Sequence, residues 1–312
     1  MGATTTTAAP FIKENVAAGS FDQVFRRTDL INFLAANGRV VDAQGASPFS
    51  WNIIDSANST AAVFAEGDAV SSNGQQGYAQ ATQAAFYVRA IGGESGHMRD
   101  NRLKNGLYAD VRALEIEKAT ADVWKVMEDQ LCGSTANIGI ASIIDSGTTY
   151  AGLAPGTYTS WASLETALGG ALTITALQDM YETLVTTPYG ATPTHLLMPQ
   201  NQVTNYVNVA GVPGAANGAY RIIPGAQGGA FDAGVVHPLI TFNGLPVVPV
   251  SGLTTTEVYM VDVSKMDLLV HRQPEVRDLA KNNDDDRFQV SLAGCLRVQR
   301  RRSFGKLTGV TA

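Results

Sequence analysis

The strongest pattern of hydrophobic and polar positions along the chain lies in residues 106–131, GLYADVRALEIEKATADVWKVMEDQL. Apolar side chains recur there at steps of three and four residues, the spacing of one buried helix face. They include Ala119, Val123, Met127 and Leu131. Lys118 and Lys125 each precede an aspartate by four residues, so opposite charges are placed to pair on the polar face. The pattern predicts one helix about 39 Å long, which could act as a beam across the molecule.

Shorter patterns predict a mixture of helices and strands elsewhere. Helices are predicted for residues 30–38, 174–186 and 199–207. Strands are predicted for residues 194–199, 237–252, 256–272 and 287–310. The order helix, strand, helix between residues 174 and 207 indicates layers of sheet and helix. Residues 211–235 are rich in Gly and Ala and predict a long loop.

Residues 59–91 contain two strand-like runs on either side of Asn73-Gly74, a dipeptide typical of hairpin turns. The second run, residues 78–89, consists largely of Ala, Gln and Thr, so neither face can bury much apolar surface. Because an isolated two-stranded hairpin is marginally stable in water, this one must lie on another surface. That surface belongs either to its own domain or to a neighbouring subunit, and the residues do not decide between the two.

Charge is unevenly distributed along the chain. Residues 130–256 carry only six charged side chains, which are Asp145, Glu165, Asp179, Glu182, Arg221 and Asp232. A segment of this length cannot be all interior, and a free monomer with such a surface would aggregate. We therefore expect other copies to cover this neutral lobe, since interface cores are depleted in charge. The flanking segments, 94–129 and 257–306, hold most of the remaining charge, which suggests a neutral lobe inserted into a charged one.

Composition excludes several classes of protein. The formal net charge of −6 disfavours dedicated DNA binding, because proteins that neutralise phosphates are normally basic. Cys132 and Cys295 lie far apart with no CxxC spacing, which argues against a disulfide framework or a zinc site. The N-terminal residues show no leader pattern, and no apolar stretch approaches the roughly 18 residues that a membrane span needs. The expectation is a protein without membrane contact, metal or cofactor.

No catalytic constellation is evident. GESGH, residues 93–97, resembles a nucleophile elbow but has His97 in place of the second glycine. SFGK, residues 303–306, matches S-x-x-K but lacks the partner motifs. The four histidines are scattered, and no phosphate-binding glycine loop follows a strand.

Three adjacent carboxylates, those of Asp284, Asp285 and Asp286, suggest a metal site or an acid/base site. In a calcium-binding loop, Arg287 would take the position of the required glycine and Ala293 that of the required glutamate, so an EF-hand is excluded. Two interpretations remain, a solvated loop before a strand and salt bridges between subunits.

The basic run Arg300, Arg301 and Arg302 follows a strand-like segment. It lacks interleaved aromatic residues and is more typical of a counter-charge for carboxylates than of a nucleic-acid site. Between the two charged runs, even-numbered residues from 288 to 298 are apolar or glycine. A hairpin turning near residues 293 and 294 would bring the two runs together in one chain. A continuous strand would hold them roughly 50 Å apart.

The order of these elements resembles the major capsid proteins of tailed bacteriophages, whose fold encapsulins share. The stretches that carry the resemblance are ASIIDSGTTYAGLAPGTYTSWAS, ITALQDMYETLV, PTHLLMPQNQVTNYV, ITFNGLPVVPV, VYMVDVSKMDLLVHR and RFQVSLAGCLRVQRRRSFGKLTG. The resemblance implies an α+β protein with the Hong Kong 97-like capsid fold: an N-terminal arm, an extended hairpin loop, a long spine helix, a peripheral lobe and an axial lobe.

The same resemblance implies five segments. They are an N-terminal arm (1–55), an extended hairpin loop (56–93), the first part of a peripheral domain with the spine helix (94–149), an axial domain (150–256) and a return segment (257–312) that completes the peripheral domain. The last strand of the return segment is expected to run toward the axial domain. The resemblance favours the continuous strand, with Gly294 as a bulge or close-packing point, so that any partners of the three aspartates would lie on neighbouring subunits.

The candidate subunit-contact residues come from the hairpin turn and the two charged runs. They are Asn73, Gly74, Gln75, Gln76, Asp284, Asp285, Asp286, Arg300, Arg301 and Arg302. No catalytic, cofactor-binding or metal-binding residue is predicted.

The function implied by the resemblance is that of a non-enzymatic shell protein of the virion. Assembled in the host cytoplasm, it would form pentamers and hexamers of an icosahedral shell that encloses double-stranded DNA without specific binding. Maturation from a procapsid and separate portal and decoration proteins are further expectations. The alternatives are the shell protein of an encapsulin-type compartment and, from a different class, an enzyme with a neutral substrate lobe.

Two features depart from some members of the family. Certain relatives cross-link through a lysine in the extended loop, whereas no lysine lies between Lys13 and Lys104, so that cross-link is not expected. Others carry a long scaffolding region before the hairpin. The hairpin begins too early for that here, so any scaffold is expected to be a separate protein.

Overall fold

The computed structural model describes residues 24, 26–43, 48–58, 60, 61, 63, 65, 66, 74–95, 111–186, 188–210, 240–280 and 284–311. Within them, the helices are α1 (Asp29–Ala36), α2 (Val111–Cys132), α3 (Ile140–Ile143), α4 (Ile174–Val185) and α5 (Gln200–Ala210). The strands are β1 (Val40–Asp42), β2 (Phe49–Ser56), β3 (Gly77–Gln83), β4 (Phe86–Ser95), β5 (Leu164–Ala167), β6 (His195–Met198), β7 (Thr241–Phe242), β8 (Leu245–Pro249), β9 (Val258–Val261), β10 (Met266–Asp278), β11 (Asp285–Val298) and β12 (Gly305–Thr308). The predicted loop at residues 211–235 lies outside the described residues.

The described strands form three sheets. A four-stranded sheet has the order β1-β10-β11-β4, and a six-stranded sheet has the order β5-β12-β9-β6-β8-β7. The third sheet is the antiparallel pair of β2 and β3, which we call the ribbon. Because β11 and β12 follow each other in the chain but lie in different sheets, the C-terminal segment connects the two larger sheets.

β11 is a continuous strand in the interior of the four-stranded sheet, antiparallel to β10 on one side and to β4 on the other. Phe288, Val290 and Leu292, which alternate along it, are fully buried in the largest hydrophobic core together with residues of α2. The continuous strand expected from the family resemblance is therefore confirmed, and a hairpin near residues 293 and 294 is not formed.

Gly294 lies where β11 packs tightly against its surroundings. A Cβ atom added there would lie 2.7 Å from the carbonyl oxygen of Leu269 and 3.3 Å from Cε of Met127. The prediction of a close-packing point is confirmed. The irregularities of register fall on the neighbouring strand, between Val270 and Arg272 and between Arg272 and Glu275.

α2 supplies the helical side of the same core. Its predicted core positions Ala119, Val123, Met127 and Leu131 are all buried. The predicted ion pair between Lys125 and Asp129 forms, and Asp122 accepts a hydrogen bond of 2.5 Å from Nε of Arg26. The first residues of the predicted helix, 106–110, lie outside the described residues.

The short helix predicted near the N-terminal end forms as α1. Leu30 and Leu34 are fully buried in the core that α2 also lines. The adjoining β1 pairs in parallel with β10, from Val40 opposite Leu268 to Asp42 opposite Val270. Residues 29–42 of the predicted arm thus form part of the protein's main body.

The six-stranded sheet has its own hydrophobic core, which includes Leu177 and Met180 of α4 and Tyr206 of α5. The predicted helices at 174–186 and 199–207 and the strand at 194–199 are confirmed as α4, α5 and β6. β7 and β8 are joined by Asn243 and Gly244, whose φ angles are 47° and 81°. Positive φ at both positions is the requirement of a type I′ hairpin turn.

The boundary predicted between residues 256 and 257 divides this sheet. β9 and β12 both follow that boundary, yet they pair with each other and with β6 and β5 of the preceding segment. The return segment therefore supplies strands to both larger sheets. The naming of these two halves as peripheral and axial domains stays a prediction.

The hairpin differs from its prediction. β3 pairs with β2, from Phe49 opposite Gln83 to Ser56 opposite Gly77, so the first strand lies before residues 59–70. The predicted second run is divided as well, since β3 ends at Gln83 and β4 begins at Phe86 in another sheet. The expected position of the first strand, between residue 59 and the turn, is therefore wrong, and Asn73 of the predicted turn lies outside the described residues.

A buried lysine connects the two halves. Lys306 on β12 is 3% exposed and donates a hydrogen bond of 3.0 Å to the carbonyl oxygen of Ala141 on α3. It also forms ion pairs with Asp145 at 3.3 Å and Glu165 at 3.2 Å. Burial alone would raise the pKa of Asp145, but hydrogen bonds from the following backbone amides and the charge of Lys306 bring that pKa down to about 2.

Candidate subunit-contact surfaces

The three aspartates lie at one end of the four-stranded sheet, which we call the acidic end (Asp284, Asp285 and Asp286). Asp285 and Asp286 begin β11 and stand opposite Ser95 and Glu94 of β4. Asp284 is exposed and forms no hydrogen bond or ion pair with another described residue. This end of the sheet thus presents carboxylates to solvent.

Asp285 has a partner within its own chain. Its carboxylate lies 3.6 Å from Nη2 of Arg287, two residues along the same strand, and both side chains are 39% exposed. This contact follows from the strand geometry, since residues two apart share one face of a sheet. That the aspartates have partners on neighbouring subunits stays a prediction.

The two charged runs lie at opposite ends of β11. The strand has 14 residues, which corresponds to about 45 Å at ~3.3 Å per residue. No pairing between the acidic end and the arginines of the same chain is possible at that separation.

The three arginines have three different environments. Arg300 is exposed and donates a hydrogen bond of 2.8 Å to the carbonyl oxygen of Tyr189. Arg302 is half-buried, with one contact of 3.5 Å to the carbonyl oxygen of Thr159. Both retain N–H donors that no described residue accepts.

Arg301, by contrast, belongs to the interior. It is 0% exposed, and its guanidinium donates to the carbonyl oxygens of Ile143 at 2.5 Å, Thr148 at 2.7 Å and Ser142 at 3.3 Å. Burial lowers the pKa of Arg301 to about 10, so it stays protonated at neutral pH. The donors of Arg301 are thus used within the chain, and its role in subunit contacts stays a prediction.

Arg300 and Arg302 border an open groove of about 830 Å³ between the ribbon and the segment that follows β11, which we call the basic groove. Its charged and polar lining includes Trp51, Asp55, Lys265, Arg297, Arg300 and Arg302. The charge of Arg297 is compensated by Asp267 at 2.5 Å, and Asp55 accepts a hydrogen bond from Ser160. The groove therefore has an excess of donors, and Nε1 of Trp51 is a buried donor to which no described residue offers an acceptor.

The hairpin candidates lie beside this groove. Gln76 lines it, and its side-chain oxygen accepts a hydrogen bond of 3.2 Å from the hydroxyl of Tyr78. The carbonyl oxygen of Gly74 accepts one of 3.1 Å from the side chain of Asn58. Gln75 is exposed, and Asn73 lies outside the described residues. The role of these residues in subunit contacts stays a prediction.

The ribbon presents an apolar pair to solvent. Ile54 of β2 stands directly opposite Tyr78 of β3, and their exposed fractions are 62% and 71%. Ile53 and Ala81, in contrast, are buried in the main core. Part of the ribbon thus packs on its own chain, and part presents apolar surface outward.

The described residues contain no group of three or more His, Cys, Asp and Glu side chains placed to hold a metal ion. Every helix that the structure describes is too short or too polar to cross a membrane. Ser95 of the GESGH stretch is paired in β4, and Ser303 and Lys306 of the SFGK stretch are buried.

Sequence reasoning missed one wall of the basic groove. Trp51 and Asp55 lie on β2, and Lys265 lies in a short 3-10 helix before β10, far from the arginines in sequence. The alternation in FSWNIIDS was a usable signal for β2, since its burial pattern also alternates. A single sequence gives no indication that β2 lies beside the segment that follows β11.

The structure thus combines a long helix packed on a four-stranded sheet with a second sheet and a two-stranded ribbon. The model of the SU10 major capsid protein family matches residues 33–311. The chain belongs to the SU10 major capsid protein family. It is thus a major capsid protein of a tailed phage, a structural component of the virion, as the sequence resemblance predicted.

Solved structures agree on the fold. The capsid asymmetric unit of cyanophage A-1(L) is similar with a TM-score of 0.76 and 16% identity, covering 99% of this chain and 100% of that chain. The capsid of a native GTA particle has a TM-score of 0.69 and 12% identity, covering 100% of both chains. The holo-SrpI encapsulin of Synechococcus elongatus PCC 7942 has a TM-score of 0.63 and 14% identity, covering 99% and 96%. Comparison with curated proteins gives no match.

These similarities confirm the predicted fold and the predicted class of function. The encapsulin shares the fold, which is why sequence patterns left it as an alternative. The family match is to a phage capsid protein, so the encapsulin alternative is the weaker one.

Proposed function

We propose that the chain is the repeating unit of an icosahedral shell, in which it self-associates into pentamers and hexamers that enclose phage double-stranded DNA. The observation that carries this proposal is the family match over residues 33–311. The protein acts by association, without catalysis, and its assembly takes place in the host cytoplasm.

The exposed apolar side chains support association. Ile54 and Tyr78 form a cross-strand pair on the ribbon, and Tyr87 and Ile91 are 61% and 58% exposed on β4. Exposed apolar surface of this kind marks interaction sites more often than free surface. In the proposed shell, the outer part of the ribbon lies on a neighbouring subunit, where this pair is buried.

Association between subunits also explains the low density of charge between residues 130 and 256. The charge-poor segment contains most of the six-stranded sheet together with α4 and α5. In the proposed shell this half of the molecule meets other copies of itself at the centre of each pentamer and hexamer. Interface cores are depleted in charged residues for the same reason as interiors, since desolvating a charge is costly.

The net charge of −6 suits a container. Net negative charge limits sticking to DNA phosphates, so packaged DNA is enclosed without specific binding. Separate scaffolding, portal and decoration proteins complete the proposed particle. Because no lysine lies between Lys13 and Lys104, covalent cross-linking through the ribbon is not part of the proposed particle.

The test is sedimentation of the purified protein over a range of concentrations. We expect particles far larger than a 32.9 kDa chain, and we expect the double variant Ile54→Thr/Tyr78→Thr to shift the distribution toward subunits. Val126→Thr on α2 is the matched control, since Val126 is also exposed, at 46%, but lies outside both the ribbon and the charge-poor segment. A wild-type protein that remains monomeric at the highest soluble concentration would contradict the proposal.

A further inference from the structure

The basic groove is a site that the chain's own residues do not fill. Lys265, Arg300 and Arg302 line it, and none of them forms an ion pair with a described acidic side chain. The hydrogen bonds of Arg300 and Arg302 go to backbone carbonyl oxygens, which leave the charges uncompensated. Asp55 is the only carboxylate among the described residues that line the groove. The ligand that suits this donor-rich, positively charged groove is therefore an anion.

Most acidic side chains of the described residues have partners close at hand. Asp267 pairs with Arg297, Asp278 with Arg112, and Glu275 with Arg277 at 2.8 Å. Asp284 has no such partner, and Asp285 has a half-exposed one 3.6 Å away. Within the part of the chain that the structure describes, Asp284 and Asp285 thus have unused acceptor capacity.

The two features are complementary in charge but cannot meet in one molecule. β11 holds them about 45 Å apart, as a continuous strand paired on both sides. A strand so paired does not fold back on itself. Contact between an acidic end and a basic groove requires two copies of the chain.

We propose that the basic groove receives the acidic end of a second copy of this chain, so that subunits join head to tail. The proposal rests on the proposed function, in which copies surround one another. Asp284 and Asp285 of one copy accept hydrogen bonds from Arg300 and Arg302 of the next, and Lys265 adds a third positive charge. Guanidinium and carboxylate pairs are the charge-assisted hydrogen bonds with the best-matched geometry.

Such a contact is heterologous, since two different surfaces of the same chain meet. Head-to-tail contacts close into rings when the rotation between subunits permits it. One contact of this type therefore suits rings with different numbers of subunits better than a twofold contact does. Charge complementarity also fixes the register between copies and disfavours like-charged arrangements.

DNA is the other polyanion that could meet these arginines. The net charge of −6 opposes its approach, and the groove lies between the ribbon and the body rather than on an open face. The observations favour the acidic end of a second copy.

The experiment is a charge swap read out by sedimentation and electron microscopy of assembled particles. One variant is Arg300→Glu/Arg302→Glu, the second is Asp284→Lys/Asp285→Lys, and the third combines all four changes. At the concentration where half of the wild-type protein is assembled, we expect the assembled fraction of each double variant to fall by about tenfold or more, because close charge pairs across interfaces contribute at least that factor. The fourfold variant restores the attraction with reversed signs and regains assembly. Arg300→Lys/Arg302→Lys, which keeps both charges, is the control that assembles.

Circular dichroism of each variant establishes that it is folded, so loss of assembly is not loss of structure. Double variants that assemble like the wild type would overturn the head-to-tail contact and leave the proposed function intact. A folded fourfold variant that fails to assemble would overturn it as well. Wild-type subunits that retard duplex DNA in a gel, with retardation lost in Arg300→Glu/Arg302→Glu, would assign the groove to nucleic acid instead. Wild-type protein that never assembles would overturn both proposals together.

Discussion

The carboxylate of Glu128 on α2 accepts a hydrogen bond of 2.6 Å from the backbone amide of Leu30 on α1, 98 residues earlier in the chain. It accepts a second, of 3.0 Å, from the amide of Ile31. Amides in the first turn of a helix have no acceptor within the helix, so the carboxylate of Glu128 supplies acceptors for two amides of α1. Glu128 is 1% exposed, and this buried carboxylate fixes the N-terminal helix to the long helix.

Replacing Glu128 by alanine removes both acceptors from buried amides. We expect Glu128→Ala to lower the free energy of unfolding by about 1–3 kcal/mol, the cost of leaving buried donors without partners. Urea unfolding of unassembled subunits measures the change. Glu128→Gln keeps one acceptor oxygen and is expected to lose less, so equal losses in the two variants would contradict the role assigned to these hydrogen bonds.

The same carboxylate makes stability depend on pH. Burial raises the pKa of Glu128 above its ordinary value of 4.5, although the hydrogen bonds from Leu30 and Ile31 oppose the shift. A raised pKa in the folded state means that stability is fully present below 4.5 and is lost as the pH rises through the folded pKa. We expect the unfolding free energy of wild type to fall relative to that of Glu128→Gln as pH rises from 4 to 7. A constant difference would show that Glu128 does not titrate in this way.

His195 gives a pH dependence of the opposite sign. It lies edge-on to Phe33 of α1, with ring centroids 5.0 Å apart, and burial lowers its pKa below the ordinary value of 6.5. Stability from the neutral ring is present above 6.5 and is lost as the pH falls through the lowered folded pKa. We expect wild type to lose more stability than His195→Gln between pH 7 and pH 5, measured by urea unfolding. Parallel losses in the two proteins would refute this.

Because Arg301 is buried and Arg302 is partly exposed, we expect their substitution to lower the free energy of unfolding by very different amounts. Arg301→Met leaves three carbonyl oxygens without their donors, and we expect a loss of about 3 kcal/mol or more in unfolding free energy. Arg302→Met removes one contact of 3.5 Å and is expected to change stability by no more than about 0.5 kcal/mol. Thermal or urea unfolding of unassembled subunits compares the two, and similar losses would argue against the burial of Arg301.

The close approach at Gly294 predicts that even one methyl group is too large there. The added Cβ would lie 2.7 Å from a backbone oxygen, so Gly294→Ala is expected to cost about 1–3 kcal/mol through displaced backbone. Gly156→Ala is the matched control, because a Cβ at Gly156 meets nothing within 4 Å. If both variants unfold at the same urea concentration, β11 does not pack as described.

Regular elements could be predicted from the sequence where one face is consistently apolar. α2 and α4 follow from spacing alone, because burial of one helix face imposes a period of 3.6 residues. The alternation along β11 fitted both a hairpin and a continuous strand, and the family resemblance favoured the continuous strand that forms. Turns were less predictable from the sequence. Asn243-Gly244 forms a type I′ turn between β7 and β8. The other Asn-Gly dipeptide predicted a hairpin within residues 59–91, but β3 pairs with β2, which lies before that range.

The charged runs show what a single sequence does not reveal. Arg300, Arg301 and Arg302 are indistinguishable as letters, yet the 3-10 turn at 301–303 directs only the middle side chain into the interior. Glu128 was not singled out either, because its partners are backbone amides, which leave no trace in the sequence. The family resemblance supplied the topology that local patterns could not, since strand order depends on contacts between distant segments.

The central claim is that this chain forms a closed shell from pentamers and hexamers of itself. Electron cryomicroscopy of particles formed by the purified protein tests it most directly. We predict closed icosahedral shells with fivefold and sixfold clusters of subunits, in which the ribbon of each subunit lies on a neighbour. Images that show only separate subunits, at concentrations where the protein is folded and soluble, would contradict the claim.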